Sequence, residues 1–152
     1  MKKTQSVFQA NRKVEHLLAH HINNAGKHMN RILQQNLHRA GHNITVEQWV
    51  VLTSLFDRDG RTPTELCDAT LKDKPSITRI LKNMERGELI VCMDNPEDGR
   101  SKRVFLTKKV KSVEKQLLAI ASETERQCIH GITEREIAQC QTVLNKILAN
   151  PG

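Results

Sequence analysis

The sequence lacks several features that mark common protein classes. Its 152 residues include no Tyr, one Trp and three Phe, and no apolar run is long enough for a signal peptide or a membrane span. We therefore expect no membrane partner and a cytoplasmic location. The four cysteines show no C-x-x-C spacing, so neither a zinc knuckle nor a disulfide framework is indicated, and we expect reduced thiols in the core.

Motifs for catalysis are also missing. The sequence contains no Gly-rich phosphate loop, no G-x-S-x-G and no H-E-x-x-H, and no acids are paired on one face beside a cleft. We expect no enzymatic role and no cofactor. The sequence is instead rich in positive charge, with a formal net charge of +7. That charge favours nucleic acid or an anionic membrane surface as the partner class.

Apolar residues recur every three or four positions at both ends of the chain. The first stripe predicts one long amphipathic helix from about Val7 to Ala40, and two further stripes predict helices after Thr107. A small central domain cannot cover this much apolar helix surface, so we expect a second copy of the chain to bury it. The residues expected in that dimer interface are Val14, Leu18, Leu144, Ile147 and Leu148.

Helix-start signals divide the middle of the chain. Thr45 and Gln48 in ITVEQW, and Thr62 and Glu65 in RTPTEL, have the spacing of capping boxes. The first of these helices is expected to place Val46, Trp49, Val50 and Phe56 inward.

A third short helix is expected in PSITRILKNMERG. Pro75 opens it and Gly87 terminates it, while Ile77, Ile80, Leu81 and Met84 follow the helical repeat. Thr133 with Glu136 predicts one more capped helix near the end of the chain.

The stretch NPEDGRSKRVFLT lies between two apolar runs and predicts a β-hairpin. Asp98-Gly99 is a strong signal for chain reversal, and the loop would present Arg100, Lys102 and Arg103. Two short helices followed by a basic hairpin are the order of elements in a winged helix-turn-helix. We therefore predict a mainly α protein with a small β-hairpin wing: an N-terminal dimerisation helix (1–40), a winged helix-turn-helix DNA-binding region (44–107) and C-terminal dimerisation helices (108–152).

The polar face of the helix after Pro75 is the predicted DNA-binding surface, although a solvated helix face is the simpler alternative. Hydroxyl and Arg side chains can contact both phosphates and base edges in a major groove. Arg79 is the best candidate for base contacts, and Lys74 is expected to contact phosphate. The other residues predicted on this face are Ser76, Thr78, Lys82 and Arg86.

The wing is expected to complete the DNA-binding surface, with an ordinary charged hairpin as the alternative. Arg100 would enter a minor groove, whose negative potential attracts it, beside Lys102 and Arg103. A carboxylate facing DNA is repelled, so Asp98 should turn inward and order the loop by bonding its amides or a nearby Arg.

These motifs resemble the MarR (multiple antibiotic resistance regulator) family of bacterial transcription factors. DGRSKRVFLT resembles the wing of that family, and SITRILKNMERGELI is similar to its recognition helix and the exit from it. The resemblance implies a homodimer that binds a pseudo-palindromic operator, usually as a repressor released by a small-molecule effector or by oxidation. The oxidation-sensing branch uses a Cys in the first helix, whereas Cys67 is the first Cys here, and the absence of Tyr argues against an aromatic-lined ligand cleft.

Three alternatives remain open. A non-specific architectural DNA-binding protein would share the charge but would not need a mixed hydroxyl and Arg face. A helical protein-interaction module would direct its basic wing at an acidic partner. His16 and His20 stand four residues apart and raise the possibility of a metal-sensing regulator, but zinc needs three or four ligands, so we predict no metal site.

Overall fold

A computed structural model of the protein describes residues 16–152 and has a mostly helical architecture. The predicted fold class is confirmed: residues 16–152 form six helices and one two-stranded antiparallel hairpin. In chain order the elements are α1 (Leu18–Arg39), α2 (Val46–Asp57), α3 (Pro63–Thr70), α4 (Lys74–Arg86), β1 (Ile90–Asn95), β2 (Asp98–Leu106), α5 (Lys108–Cys128) and α6 (Glu134–Ala149).

The start of α1 differs from the sequence prediction. Val7 and Val14 lie outside the described residues. The backbone of Leu17 is extended, and α1 begins at Leu18. At its other end the helix stops as predicted. Gly41 adopts a left-handed φ of 87°, and the N–H of His42 returns to the carbonyl of Leu37 at 2.9 Å.

Local capping sets most other helix starts. The three predicted capping boxes, at Thr45, Thr62 and Thr133, are all formed in both directions. The start of α4 lies slightly earlier than predicted, because the side chain of Asp73 accepts the N–H of Ser76 at 2.7 Å and caps the helix.

Helix α4 ends at Arg86, so Gly87 terminates it as predicted. Gly87 does not take the left-handed conformation; its φ is −82°. Glu88 takes it instead, with φ 57°. The N–H of Leu89 bonds the carbonyl of Met84 at 2.9 Å, and the N–H of Glu88 bonds the carbonyl of Glu85 at 3.0 Å. This closing pattern requires the left-handed residue one position after Gly87.

One apolar core joins α1, α2, α3, α4, the hairpin and α5. Within α2 the inward face is shifted from the prediction: Trp49 is buried, but Val46, Val50 and Phe56 are only half-buried. The reason is that α2 packs against α1, α3, α4 and β2, so more than one stripe of it is covered. Its other buried residues are Val51, Leu52 and Leu55.

The hairpin is antiparallel from Ile90 opposite Leu106 to Asp94 opposite Lys102, and the register then shifts. The chain reverses at residues 96–97, not at Asp98-Gly99 as predicted, since those two residues already belong to β2. The base of the hairpin is fixed to the α2–α3 connection. The N–H of Gly60 donates to the carbonyl of Val104 at 3.0 Å.

Candidate DNA interface

Helix α4 has one apolar and one cationic face. Its four predicted apolar residues are all buried, so the opposite face is held outward. Ser76 is half-buried and its N–H is used by the Asp73 cap. The predicted contact residues that remain exposed on this face are Lys74, Thr78, Arg79, Lys82 and Arg86.

A cleft of about 680 Å³ separates α4 from the wing. Lys74, Thr78 and Lys82 line it from the helix, and Arg100 and Lys102 line it from β2. The structure thus brings two separate predicted cationic segments to one cleft. Lys74, Thr78 and Lys82 also line a second groove along α4, which adds Arg79 and Arg86, whereas Ser76 and Arg103 line neither cavity.

The wing is ordered chiefly by a residue that the sequence analysis did not single out. Asn95 is 7% exposed, and its Oδ1 accepts the N–H of Glu97 and the Nε–H of Arg103, each at 3.2 Å. Its Nδ2 donates to the hydroxyl of Ser101 at 3.0 Å. The first of these bonds moves the chain reversal ahead of Asp98.

Asp98 bonds the wing backbone but does not turn inward. Its Oδ1 accepts the N–H of Arg100 at 3.0 Å, while the residue stays exposed. The predicted contact with a loop amide is therefore present, whereas the inward orientation is wrong. The role of this contact in ordering the wing stays a prediction.

Arg103 interacts within the protein. Its Nη1 donates to the carbonyl of Gly60 at 3.1 Å, its Nε donates to Asn95, and its Nη2 lies 3.5 Å from Glu97. These contacts tie the wing to the α2–α3 connection. Arg103 was predicted to bind DNA together with Arg100 and Lys102 on the wing, but only Arg100 and Lys102 line the cleft.

Arg79 is paired with a carboxylate on another helix. Its Nη1 and Nη2 donate to Glu47 of α2 at distances of 3.0 to 3.2 Å. The hydrogen bonds from Arg79 hold the pKa of Glu47 below its usual value, and the same pair raises the pKa of Arg79. Glu47 precedes Arg79 by 32 residues, so no local sequence signal could have identified this partner.

The histidine pattern forms no ligand set in the part of the chain that the structure describes, where no group of three or more His, Cys, Asp or Glu could hold a metal ion. Among residues 16–152, no helix is both long and apolar enough to cross a membrane.

The expected dimer residues lie on partly uncovered surfaces. Leu18, Ile147 and Leu148 are exposed, Leu144 is half-buried, and Val14 lies outside the described residues. Within residues 16–152, α6 contains no buried residue.

Comparison with known proteins agrees with this geometry. The model of the MarR family matches residues 42–101, which contain α2, α3, α4 and most of the hairpin. The solved structure of the transcriptional regulator PA3341 is 30% identical over 88% of this chain and 97% of its own, with a TM-score of 0.75.

Two further solved structures share the fold. A mutant of MarR from E. coli, complexed with operator DNA, is 25% identical over 86% of this chain and 93% of its own, with a TM-score of 0.79. BpsR from Bordetella bronchiseptica, whose DNA binding is regulated by 6-hydroxynicotinic acid, is 19% identical over 92% of this chain and 99% of its own, with a TM-score of 0.81. With its winged helix-turn-helix fold and these matches, the chain belongs to the MarR family of transcriptional regulators.

Proposed function

We propose that the protein is a homodimeric, sequence-specific DNA-binding regulator that represses transcription from a pseudo-palindromic operator and is released by a small-molecule effector. The observation that carries this proposal is the cleft between α4 and the wing, where Lys74, Lys82, Arg100 and Lys102 converge. Cations on α4 and on the neighbouring wing can engage the phosphates of one duplex while α4 itself enters a major groove. The operator complex of the E. coli relative supports the same use of this fold.

The exposed residues divide into base-contacting and phosphate-contacting candidates. Arg79 lies on the outer face of α4 and is the candidate for base contacts, because Arg bonds guanine through two parallel donors. Lys74 is at the first position of α4 and is the candidate for phosphate. Thr78, Lys82 and Arg86 extend the same surface, and Arg100 is the candidate for a minor groove.

The homodimer is proposed from the apolar surface of the terminal helices. Segments 1–40 and 108–152 would form the interface, and region 44–107 would bind DNA. The exposed apolar side chains that support this division are Leu18, Ile22, Met29, Val143, Ile147 and Leu148.

A separate cleft supports an anionic effector. About 650 Å³ of space lies between the α1–α2 connection, α4 and α5, and Arg86 and Lys109 line it together with His42. Nε2 of His42 is buried and has no hydrogen-bond partner in the described structure. The relative regulated by 6-hydroxynicotinic acid makes small aromatic acids the first class to titrate against an operator complex.

Selection from randomised duplexes, followed by fluorescence anisotropy, tests the DNA proposal. We expect the protein to enrich a pseudo-palindrome whose half-sites lie roughly 34 Å apart, about one helical turn. Its affinity for that duplex should exceed its affinity for a scrambled duplex at every salt concentration. Equal affinities would favour the architectural alternative, and no duplex binding at low salt would favour a protein-interaction module.

A further inference from the structure

The Glu47–Arg79 pair leaves part of the guanidinium free in a defined orientation. Both terminal nitrogens of Arg79 donate to the carboxylate, and the two oxygens of Glu47 share these bonds. The carboxylate therefore occupies the end of the guanidinium fork. Within residues 16–152, Nε of Arg79 donates to no side chain or backbone group, and 55% of the side chain is exposed.

The free edge has the geometry that guanine requires. A guanidinium carries five N–H donors in a plane, and an end-on carboxylate leaves Nε–H and the outer N–H of Nη2 as two parallel donors. Those two donors match the O6 and N7 acceptors of guanine in a major groove. One Arg can therefore bond a carboxylate at its end and a guanine at its side.

Starting from the proposed DNA-binding function, we propose that Glu47 is a specificity-determining positioning residue: it fixes the guanidinium of Arg79 so that its free side edge contacts a guanine in each operator half-site. Glu47 is well placed for this role because it lies in the first turn of α2, whose start is fixed by the Thr45 capping box. A long side chain that is already oriented loses less conformational freedom when it binds.

The charge of Glu47 also acts against non-operator DNA. A carboxylate on the DNA-facing side repels phosphate, and a duplex without guanine at this position provides no compensating base contact. Such a repulsive element raises discrimination even where it lowers affinity. Removing Glu47 should consequently affect operator and scrambled duplexes unequally.

The test compares three variants with the parent protein by duplex selection and anisotropy. Glu47→Gln removes the charge and one of the two carboxylate acceptors. Glu47→Asp keeps the charge but shortens the reach to Arg79. Glu85→Gln is the matched control, since Glu85 is an exposed carboxylate in the cleft between α4 and the wing that accepts the N–H of Cys92 at 3.4 Å.

We expect Glu47→Gln to lower the ratio of operator to scrambled affinity by about tenfold and to weaken one symmetric guanine preference in the selected site. Its affinity for the scrambled duplex should rise. Glu47→Asp should lose the same guanine preference without that rise. Glu85→Gln should tighten binding to the operator and the scrambled duplex by the same factor and leave the guanine preference intact.

Two results would overturn the proposal. Glu47→Gln could tighten both duplexes by the same factor as Glu85→Gln, in which case Glu47 only screens charge. It could also keep the parental guanine preference, in which case the pair does not orient Arg79. Failure of the DNA-binding proposal gives a different result, because the parent protein itself would then enrich no sequence. Circular dichroism and thermal unfolding confirm that each variant is folded.

Discussion

Leu71 ends α3 in a backbone conformation that strains a side chain. Its φ is 54°, and its N–H donates to the carbonyl of Cys67. The left-handed conformation costs a residue with a branched side chain on the order of 1 kcal/mol, whereas Asn tolerates it. Leu71 is 82% exposed, so burial of its side chain does not offset the strain.

Leu71→Asn should therefore raise the free energy of unfolding by about 0.5 to 1 kcal/mol, because it relieves the strain without removing a buried contact. Leu71→Val should lower it by on the order of 1 kcal/mol, since β-branching crowds the same conformation further. Urea unfolding of both variants measures the difference. Equal stability of the two variants would contradict the assignment of strain to this residue.

Arg79 and Lys74 lie on the same face of α4 but should make different contributions to DNA binding. Arg79→Ala should relax base preference and weaken operator binding by about 1 to 3 kcal/mol, because it removes a two-donor base contact. Lys74→Ala should weaken binding to all sequences about equally and reduce the salt dependence (slope) of the affinity by about 1, because it removes a phosphate contact. Anisotropy titrations across salt concentrations separate these effects. The reverse pattern would exchange the two roles.

At the scale of elements, variants of the wing can distinguish two roles of the Asp98 carboxylate: ordering the loop, or only repelling phosphate. Asp98→Ala should weaken operator binding by about 1 kcal/mol, because the N–H of Arg100 loses its acceptor and the loop that presents Arg100 loses order. Arg100→Ala should weaken it by a similar amount or more, on the order of 1 kcal/mol. If Asp98 only repelled phosphate, Asp98→Ala would bind operator more tightly than the parent protein.

Asp98→Asn is the matched control for this prediction. The amide retains Oδ1 as an acceptor for the N–H of Arg100 but removes the charge. We expect it to bind operator at least as tightly as the parent protein. Anisotropy at one fixed salt concentration compares the three variants, and tighter binding by Asp98→Ala would refute the ordering role.

The attachment of the hairpin depends on Gly60. Its φ is 76°, and a Cβ there would lie 2.8 Å from Cε1 of Phe105. Gly60→Ala should lower the free energy of unfolding by on the order of 1 to 2 kcal/mol, because the backbone strain persists even if the ring moves. Gly99→Ala is the control: a Cβ there meets nothing within 4 Å, so stability should stay within about 0.5 kcal/mol. Equal effects in thermal unfolding would contradict this reasoning.

The sequence predicted elements well where the determining contacts are local. A capping box needs only residues three positions apart, so the starts at Thr45, Thr62 and Thr133 could be recognised. The chain reversal could not be located in this way. Asp98-Gly99 has the composition of a strong turn. The side chain of Asn95, however, accepts the N–H of Glu97, and the chain reverses at residues 96–97.

The candidate site shows the same limit. The outer face of α4 follows from helical periodicity, so its exposed cations were predictable. The contact between Arg79 of α4 and Glu47 was not predictable, and neither was the contact between Arg103 of the wing and Gly60. Both contacts form only after the helices and the wing have packed. Their distance along the chain leaves no periodic pattern to detect.

At the scale of the whole molecule, the apolar surface of the terminal helices requires an explanation. The side chains of Val143, Ile147 and Leu148 are 49%, 41% and 71% exposed. Scattered apolar side chains are ordinary on a protein surface, but a repeated stripe along one helix marks an interface. A two-fold dimer built on such stripes would also present two copies of α4 to a two-fold operator.

Leu148→Asp should therefore weaken dimerisation by about 3 kcal/mol or more, because it places an unpaired charge in an apolar interface. It is a sharper probe than Leu144→Asp, since Leu144 is half-buried within its own chain and its substitution also disturbs the protomer. Thr142→Asp adds the same charge on the face of α6 opposite this stripe, where Thr142 is exposed, and should leave association unchanged. Sedimentation velocity over a range of concentrations measures all three. A parent protein that stays monomeric at micromolar concentration, or a Leu148→Asp variant that dimerises as the parent does, would show that this surface is not the interface.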